Sequence, residues 1–243
     1  MTPDTGSPAP NPKPKRAYSG RGDIDKGLLE DIQTGRDVLA AAKDADYNAT
    51  LLTRVKPAFI TTLDGHIKTA ADDPVHNLCQ VVINTKKAAG VATQDEDDAY
   101  DTLIAALRVI QKAAGNTYKN DVARRASYLI GKRDFGDNRG VLEADASAII
   151  NLAQTDTLDN LLPADLTAAQ TALEGWKQAD QDQGGAQDAY AHAVQALRDL
   201  VDLINADRRT IQTAADILYP YKDAANAPTR RAFLLPANRP MKV

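Results

Sequence analysis

The sequence predicts an all-α protein, and two observations lead to that prediction. Apolar residues recur at intervals of three and four along most of the chain, which is the period of an amphipathic helix. Aromatic residues make up only 5% of the 243 residues while alanine is abundant, a composition that favours closely packed helices over a sheet sandwich. No stretch alternates polar and apolar residues as a half-buried strand does. We therefore expect strands to be rare.

Residues 1–23 are predicted to form a disordered or extended proline-rich arm. Five of the twelve prolines lie within the first fourteen positions, and apolar side chains are scarce there. Such a composition cannot bury enough apolar surface to offset the entropy of ordering. Residues 1–22 also carry a net charge of +3, although the whole chain carries −4.

The helical pattern begins at Ile24 and is interrupted between Thr53 and Pro57. A second helix is expected to start at Pro57, because a proline in the first turn loses no intrahelical hydrogen bond. The stretch 72–74, Asp-Asp-Pro, should end that helix.

Two further helices are expected in the middle of the chain. One contains Cys79 and should stop at Gly90, since glycine commonly ends helices. The other begins at Thr93, and the acidic run 95–98 would complement the dipole at its N-terminus.

The second half repeats this order. A helix is expected over 141–154, another behind Pro163, a tight break at 184–185 where two glycines are adjacent, and a last long helix that ends before Pro220. The prediction for the fold is therefore all-α, with about three main helices in each half.

Five short matches recur in the same order in the two halves and suggest a tandem duplication. They are KGLLE at Lys26 with RGVLE at Arg139, LDGH at Leu63 with LEGW at Leu173, DAY at Asp98 and Asp188, ALR at Ala106 and Ala196, and RRA at Arg124 and Arg230. We therefore predict two helical bundle repeats, residues 24–136 and 137–227, followed by a basic C-terminal arm, residues 228–243.

The repeated RRA word predicts the site. In each half it follows a long helix and is followed by an aromatic and two aliphatic residues. Arginine and large apolar side chains dominate the energetics of protein interfaces. The predicted partner-binding residues are Arg124, Arg125, Tyr128, Leu129, Arg230, Arg231, Phe233, Leu234, Leu235 and Arg239. The same arms could instead fold back and cap their own bundles, and the sequence leaves both interpretations open.

No catalytic residue, metal site or cofactor is predicted. The three histidines form no metal-binding motif, the single cysteine has no identifiable partner, and the glycines form no phosphate loop. The acidic body and the scarcity of aromatics argue against nucleic-acid binding, although the arginine pairs leave it as a third possibility. No window is apolar enough for membrane insertion, and the default location is cytoplasmic, with an extracellular or virion location left open.

The sequence thus predicts a non-enzymatic structural protein that assembles with itself through terminal arms into an oligomer, filament or particle. The alternative is a helical adaptor that binds one protein partner through the same arms. A helical-bundle cofactor or nucleic-acid binder ranks third.

Overall fold

The computed structural model describes residues 24–131, Phe135 and residues 138–241, and within them it contains helices and no strands. The expectation of an all-α fold is confirmed. The predicted N-terminal arm, residues 1–23, lies outside the described residues. The eight α-helices of the described part are α1 (Lys26–Lys43), α2 (Ala45–Leu51), α3 (Pro57–Ile67), α4 (Leu78–Thr117), α5 (Val122–Ser127), α6 (Arg139–Thr155), α7 (Pro163–Leu218) and α8 (Ala227–Ala232).

The helices begin where side chains or prolines suit an N-terminus. Asp25, Asn77 and Asn138 cap α1, α4 and α6 by accepting hydrogen bonds from backbone N–H groups of the first turn. Pro57 and Pro163 occupy the first positions of α3 and α7, as the sequence predicts.

Two predicted helix breaks are wrong, because α4 and α7 are continuous. α4 runs for 40 residues through Gly90, and α7 runs for 56 residues through Gly184 and Gly185. The acidic run 95–98 accordingly lies in the middle of α4 and does not start a helix. A glycine inside a helix costs only about 1 kcal/mol relative to alanine. Packing of α4 along α7 supplies more than that, so both helices persist through their glycines.

We expect Gly184→Ala to raise the free energy of unfolding by about 1 kcal/mol, since a Cβ at that position meets no heavy atom within 4 Å. Gly35→Ala is the matched control with the opposite sign. Its Cβ would lie 2.6 Å from Cγ2 of Ile204, so α1 and α7 would have to move apart. Urea denaturation followed by circular dichroism measures both. A lower midpoint for Gly184→Ala would contradict the prediction.

The framework of the molecule is an antiparallel pair of long helical rods. One rod is α3, a π-helical turn (Lys68–Asp72), a short connection and α4, and the other is α7. His66 lies 2.9 Å from Asp207, and further along Gln183 lies 3.4 Å from Thr93. Residue numbers increase along one rod in the direction in which they decrease along the other, so the two rods are antiparallel. At 1.5 Å per residue α7 is about 84 Å long.

Two hydrophobic clusters lie at the two ends of this pair. We call the two ends lobe A and lobe B. In lobe A the cluster joins α1, α2 and α3 to the C-terminal part of α7. In lobe B it joins α6 and the C-terminal part of α4 to the N-terminal part of α7. Buried side chains of lobe A include Ile32, Val38, Leu63, Ile67, Val201, Ile204, Ile211 and Phe233. Those of lobe B include Leu103, Leu107, Ile110, Tyr128, Ile149, Ile150, Leu173 and Trp176.

Each lobe therefore contains residues from both predicted repeats. The segment 24–136 contributes the α4 side of lobe B, and the segment after 137 contributes the α7 side of lobe A. Because the long rods pass from one lobe to the other, the spatial halves of the molecule differ from the halves of its sequence.

Candidate functional site

The two copies of the RRA word lie at opposite ends of the molecule. The first arm, residues 119–131 with α5, follows the end of α4 in lobe B. The second arm, residues 219–241 with α8, follows the end of α7 in lobe A. Since α4 and α7 are antiparallel, each lobe ends in one arm.

The two arms share an unusual turn. Leu129 and Leu234 have φ angles of 53° and 57°, in the left-handed region that normally suits glycine. The amide of the next residue donates to a carbonyl five residues back, from Ile130 to Arg125 and from Leu235 to Arg230, at 3.1 and 2.8 Å. This is a Schellman helix ending. In this backbone register Arg125 corresponds to Arg230, so the RRA letters themselves are shifted by one residue between the arms.

A buried glutamine holds each turn in place. Nε2 of Gln111 donates to the carbonyl oxygens of Tyr128 and Leu129 at 2.9 and 3.1 Å, and Nε2 of Gln212 donates to that of Phe233 at 2.9 Å. Without these donors, carbonyl groups of the turns would lose hydrogen bonds in an apolar setting. Sequence reasoning missed both glutamines. The signal was present, since IQKAAGNTY (110–118) and IQTAADILY (211–219) match at both ends and at the central alanine pair with equal spacing.

Stacked aromatic rings lie under each turn. The centroids of Tyr118 and Tyr128 are 6.1 Å apart in lobe B, and those of Tyr219 and Phe233 are 6.2 Å apart in lobe A. Tyr47 from α2 adds an edge contact to Phe233. The aromatic residue of each repeated word is thus buried in its own chain.

Arg230 organises the second arm and is fully buried. Its guanidinium donates to Oδ1 of Asp216 at 2.6 Å and to three backbone carbonyl oxygens, those of Tyr219, Pro236 and Arg239, at 2.6 to 2.9 Å. These bonds fold residues 236–239 back over the end of α7. The sequence left open whether this segment contacts another molecule or folds back on its own bundle, and its described part is folded against lobe A.

Asp156 plays the corresponding role in the first arm. Its carboxylate accepts hydrogen bonds from the hydroxyl groups of Tyr118 and Tyr128 at 3.0 and 2.9 Å, and Arg124 pairs with it at 3.1 Å. Burial, and then the hydrogen bond to Asp156, raise the pKa of Tyr128 well above its usual range. The same two causes raise the pKa of Tyr118.

These pKa shifts predict that lobe B loses stability at alkaline pH. A tyrosine whose pKa is raised on folding contributes stability below its unfolded pKa, about 10, and that contribution is lost as the pH rises above it. Between pH 8 and 11, the melting temperature should fall more steeply with rising pH for the natural protein than for Tyr128→Phe, because a phenylalanine at this position cannot ionise. Parallel melting curves would contradict this assignment.

The predicted site residues divide into a buried and an exposed set. Tyr128, Arg230, Phe233 and Leu235 are buried within the chain, and Arg125 and Leu129 are partly buried. Arg124, Arg231, Leu234 and Arg239 are exposed. The exposed set lies on the surface at the two ends, and the buried set holds the turns that carry it.

Other candidate chemistry lies outside the arms. Within residues 24–131, 135 and 138–241, no cluster of three or more His, Cys, Asp or Glu side chains could hold a metal ion. His66 pairs with Asp207 between α3 and α7. Cys79 is buried, and burial raises the pKa of its thiol. None of the helices described is both long and apolar enough to cross a membrane.

A second feature is an apolar trough on the surface of lobe B and the middle of α4. Its larger part, about 640 Å³, lies between α4 and α7 and is lined by small side chains and by Trp176. Lys177 and Asp180 form ion pairs with residues of α6. Around the axis of α7 they lie on roughly the opposite side from Gly175, which lines the trough, so the trough opens on the side away from α6. A comparison of the chain with known proteins finds no matching family model, curated protein or solved structure.

Proposed function

We propose that the protein is a non-enzymatic assembly subunit whose two ends bind other copies of the same chain. The observation that supports this most directly is the occurrence of one structural motif at both ends of a rod about 84 Å long. A rod with similar binding ends can join its neighbours end to end, and such contacts produce rings or open filaments.

The exposed chemistry of the second arm suits such a contact. Leu234 is 46% exposed, and two exposed arginines lie near it in the sequence, Arg231 three residues before it and Arg239 five residues after it. The unusual φ of Leu234 requires support from the buried Arg230 and Gln212, so the leucine is held outward by a rigid base. Pre-organised apolar and arginine side chains lose little entropy on binding.

We also propose that the chain is a tandem duplication, as the sequence suggests, but in a register that replaces three of the predicted matches, LDGH with LEGW, the DAY pair and the ALR pair, whose spacings are 110, 90 and 90 residues. α3 begins with PAFIT (57–61) and α7 begins with PADLT (163–167), at a spacing of 106 residues. The matching words IQKAAGNTY (110–118) and IQTAADILY (211–219) lie at the ends of α4 and α7, at a spacing of 101. The difference of five equals the length of the connection 73–77, which separates the π-helical turn from α4 and has no counterpart in the continuous α7. The shared turns of Leu129 and Leu234 add an independent backbone correspondence.

Mass in solution and negative-stain microscopy of the full chain test the assembly proposal. Oligomers or filaments are expected, and the exposed-surface variant Leu234→Asp combined with Arg231→Glu should shorten them by removing the contacts between ends. Leu29→Asp is the control, because Leu29 has a similar exposure on α1. Deletion of 228–243 is unsuitable, since it would remove the buried Arg230 and Phe233 and unfold lobe A.

Removal of residues 1–22 is the companion experiment for the predicted N-terminal arm. Loss of oligomers on this truncation, with the helical content unchanged, would assign the assembly contact to that arm. A chain that stays monomeric at every concentration would contradict the assembly proposal and would favour the adaptor.

A further inference from the structure

The exposed side of α4 carries a regular stripe across the middle of the rod. Its members recur at intervals of three and four residues, so they lie on one face of the helix. A shallow trough of about 400 Å³ is lined by Asn84, Lys87, Ala88, Val91, Ala92 and Asp95. The stripe continues into the larger trough through Ala99 and Thr102. The stripe borders the buried side of α4, where Leu103 and Leu107 lie in the core of lobe B.

The charges of this stripe are self-complementary about Val91. Lys87 lies four residues before Val91, and Asp95 lies four residues after it. All three are exposed, with Val91 at 53%, and among the described residues neither Lys87 nor Asp95 takes part in an ion pair. If a second α4 crosses antiparallel with its Val91 opposite this one, each Lys87 faces the other copy's Asp95.

The apolar groups are complementary in the same register. Val81 is 39% exposed and lies ten residues before Val91, so an antiparallel partner places it opposite position 101. Ala99 and Thr102, on either side of that position, line the larger trough together with Thr171, Gly175 and other small residues of α7. Small side chains let a neighbouring helix approach closely, so the Val81 side chain has an apolar recess to enter.

We infer that this stripe is an isologous interface at which a second copy of the chain packs with its α4 antiparallel and Val91 on the twofold axis. The inference rests on the proposed function of self-assembly and names a contact distinct from the two ends. From Val81 to Thr102 the stripe is about 32 Å long, and across two helices it is about 20 Å wide. The resulting area, about 600 Å² per copy, reaches the lower limit for specific interfaces.

Charge exchange in the full chain tests this interface. Lys87→Asp should weaken dimerisation by about tenfold or more, because each introduced carboxylate would face and repel Asp95 of the other copy. Asp95→Lys should do the same by bringing two lysines together at each of these contacts. The double variant should dimerise like the natural protein, and a mixture of the two single variants should form heterodimers. Lys112→Asp, on the same helix beyond the stripe, is the matched control. Sedimentation velocity over a range of concentrations measures these five samples and the natural protein.

A crosslink gives an independent readout. Val91→Cys should form a disulfide-linked dimer under mild oxidation, because the two thiols would meet across the axis. Leu203→Cys, at a 51% exposed position in α7 outside the stripe and the arms, should form no disulfide-linked dimer under the same conditions. The natural Cys79 does not compete, since it is buried.

Three results would overturn the inference. The first is a monomer in every sample, and the second is a dimer whose stability is unchanged by the single charge reversals. The third is a monomer in which removal of residues 1–22 changes the fluorescence emission of Trp176, the single tryptophan, which would assign the trough to the N-terminal segment. The end contacts are tested separately, because Leu234→Asp with Arg231→Glu should spare the dimer and Lys87→Asp should spare contacts between rod ends.

Discussion

Replacing Arg230 with alanine is expected to lower the free energy of unfolding by about 3–5 kcal/mol, the cost of breaking a buried ion pair by removing one partner. Arg230 is fully buried and satisfies Asp216 together with the carbonyl groups of Tyr219, Pro236 and Arg239. Without the guanidinium, those acceptors lose their donor at the end of α7, and residues 236–239 lose their attachment to lobe A.

Urea denaturation monitored by circular dichroism measures this loss. Arg231→Ala is the matched control, because it removes the same side chain from an exposed neighbouring position and should change the free energy of unfolding by about 0.5 kcal/mol or less. Equal destabilisation by the two substitutions would show that the Arg230 network does not hold the second arm.

Replacing Leu107 with alanine should destabilise lobe B by about 2–5 kcal/mol, the range for opening a cavity in a packed core. Leu107 is fully buried on α4 and lies in the cluster that includes Ile149 and Leu173. Since α4 also forms the rod, the loss should reduce the stability of the whole molecule.

Leu203→Ala is the control for this second prediction, because Leu203 is 51% exposed on α7. Thermal unfolding followed through Trp176, which belongs to the same cluster as Leu107, measures the effect directly in lobe B. An unchanged midpoint for Leu107→Ala would contradict the packing of α4 against α6 and α7.

The helical starts were largely predictable from local chemistry. Pro57 and Pro163 begin α3 and α7, because a proline at the first helical position loses no intrahelical bond. The predicted ends at Gly90 and at 184–185 were wrong for a different reason. A helix propensity describes one residue in isolation. A helix continues through a glycine if the residues on both sides of that glycine are packed against another helix.

The sequence located the two left-handed turns but did not show which side chains around them are buried. The repeated word marked both arms, and the aromatic and aliphatic residues in it do define their turns. Whether an arginine is buried depends on partners distant in sequence, such as Asp216 for Arg230, and no local pattern reveals them. The glutamines at 111 and 212 were missed although the words IQKAAGNTY and IQTAADILY repeat around them, because a glutamine in a helix does not by itself indicate that it is buried.

The sequence by itself determined the all-α character, the positions of the two RRA words and the basic character of both ends of the chain, because these depend on composition and on periodicity along the chain. Only the tertiary structure decided that α4 and α7 are continuous, that each lobe takes helices from both halves, and that Arg230 is buried while Arg231 is exposed. Those outcomes depend on contacts between residues far apart in the chain, whose summed packing energy exceeds the local preferences of single residues.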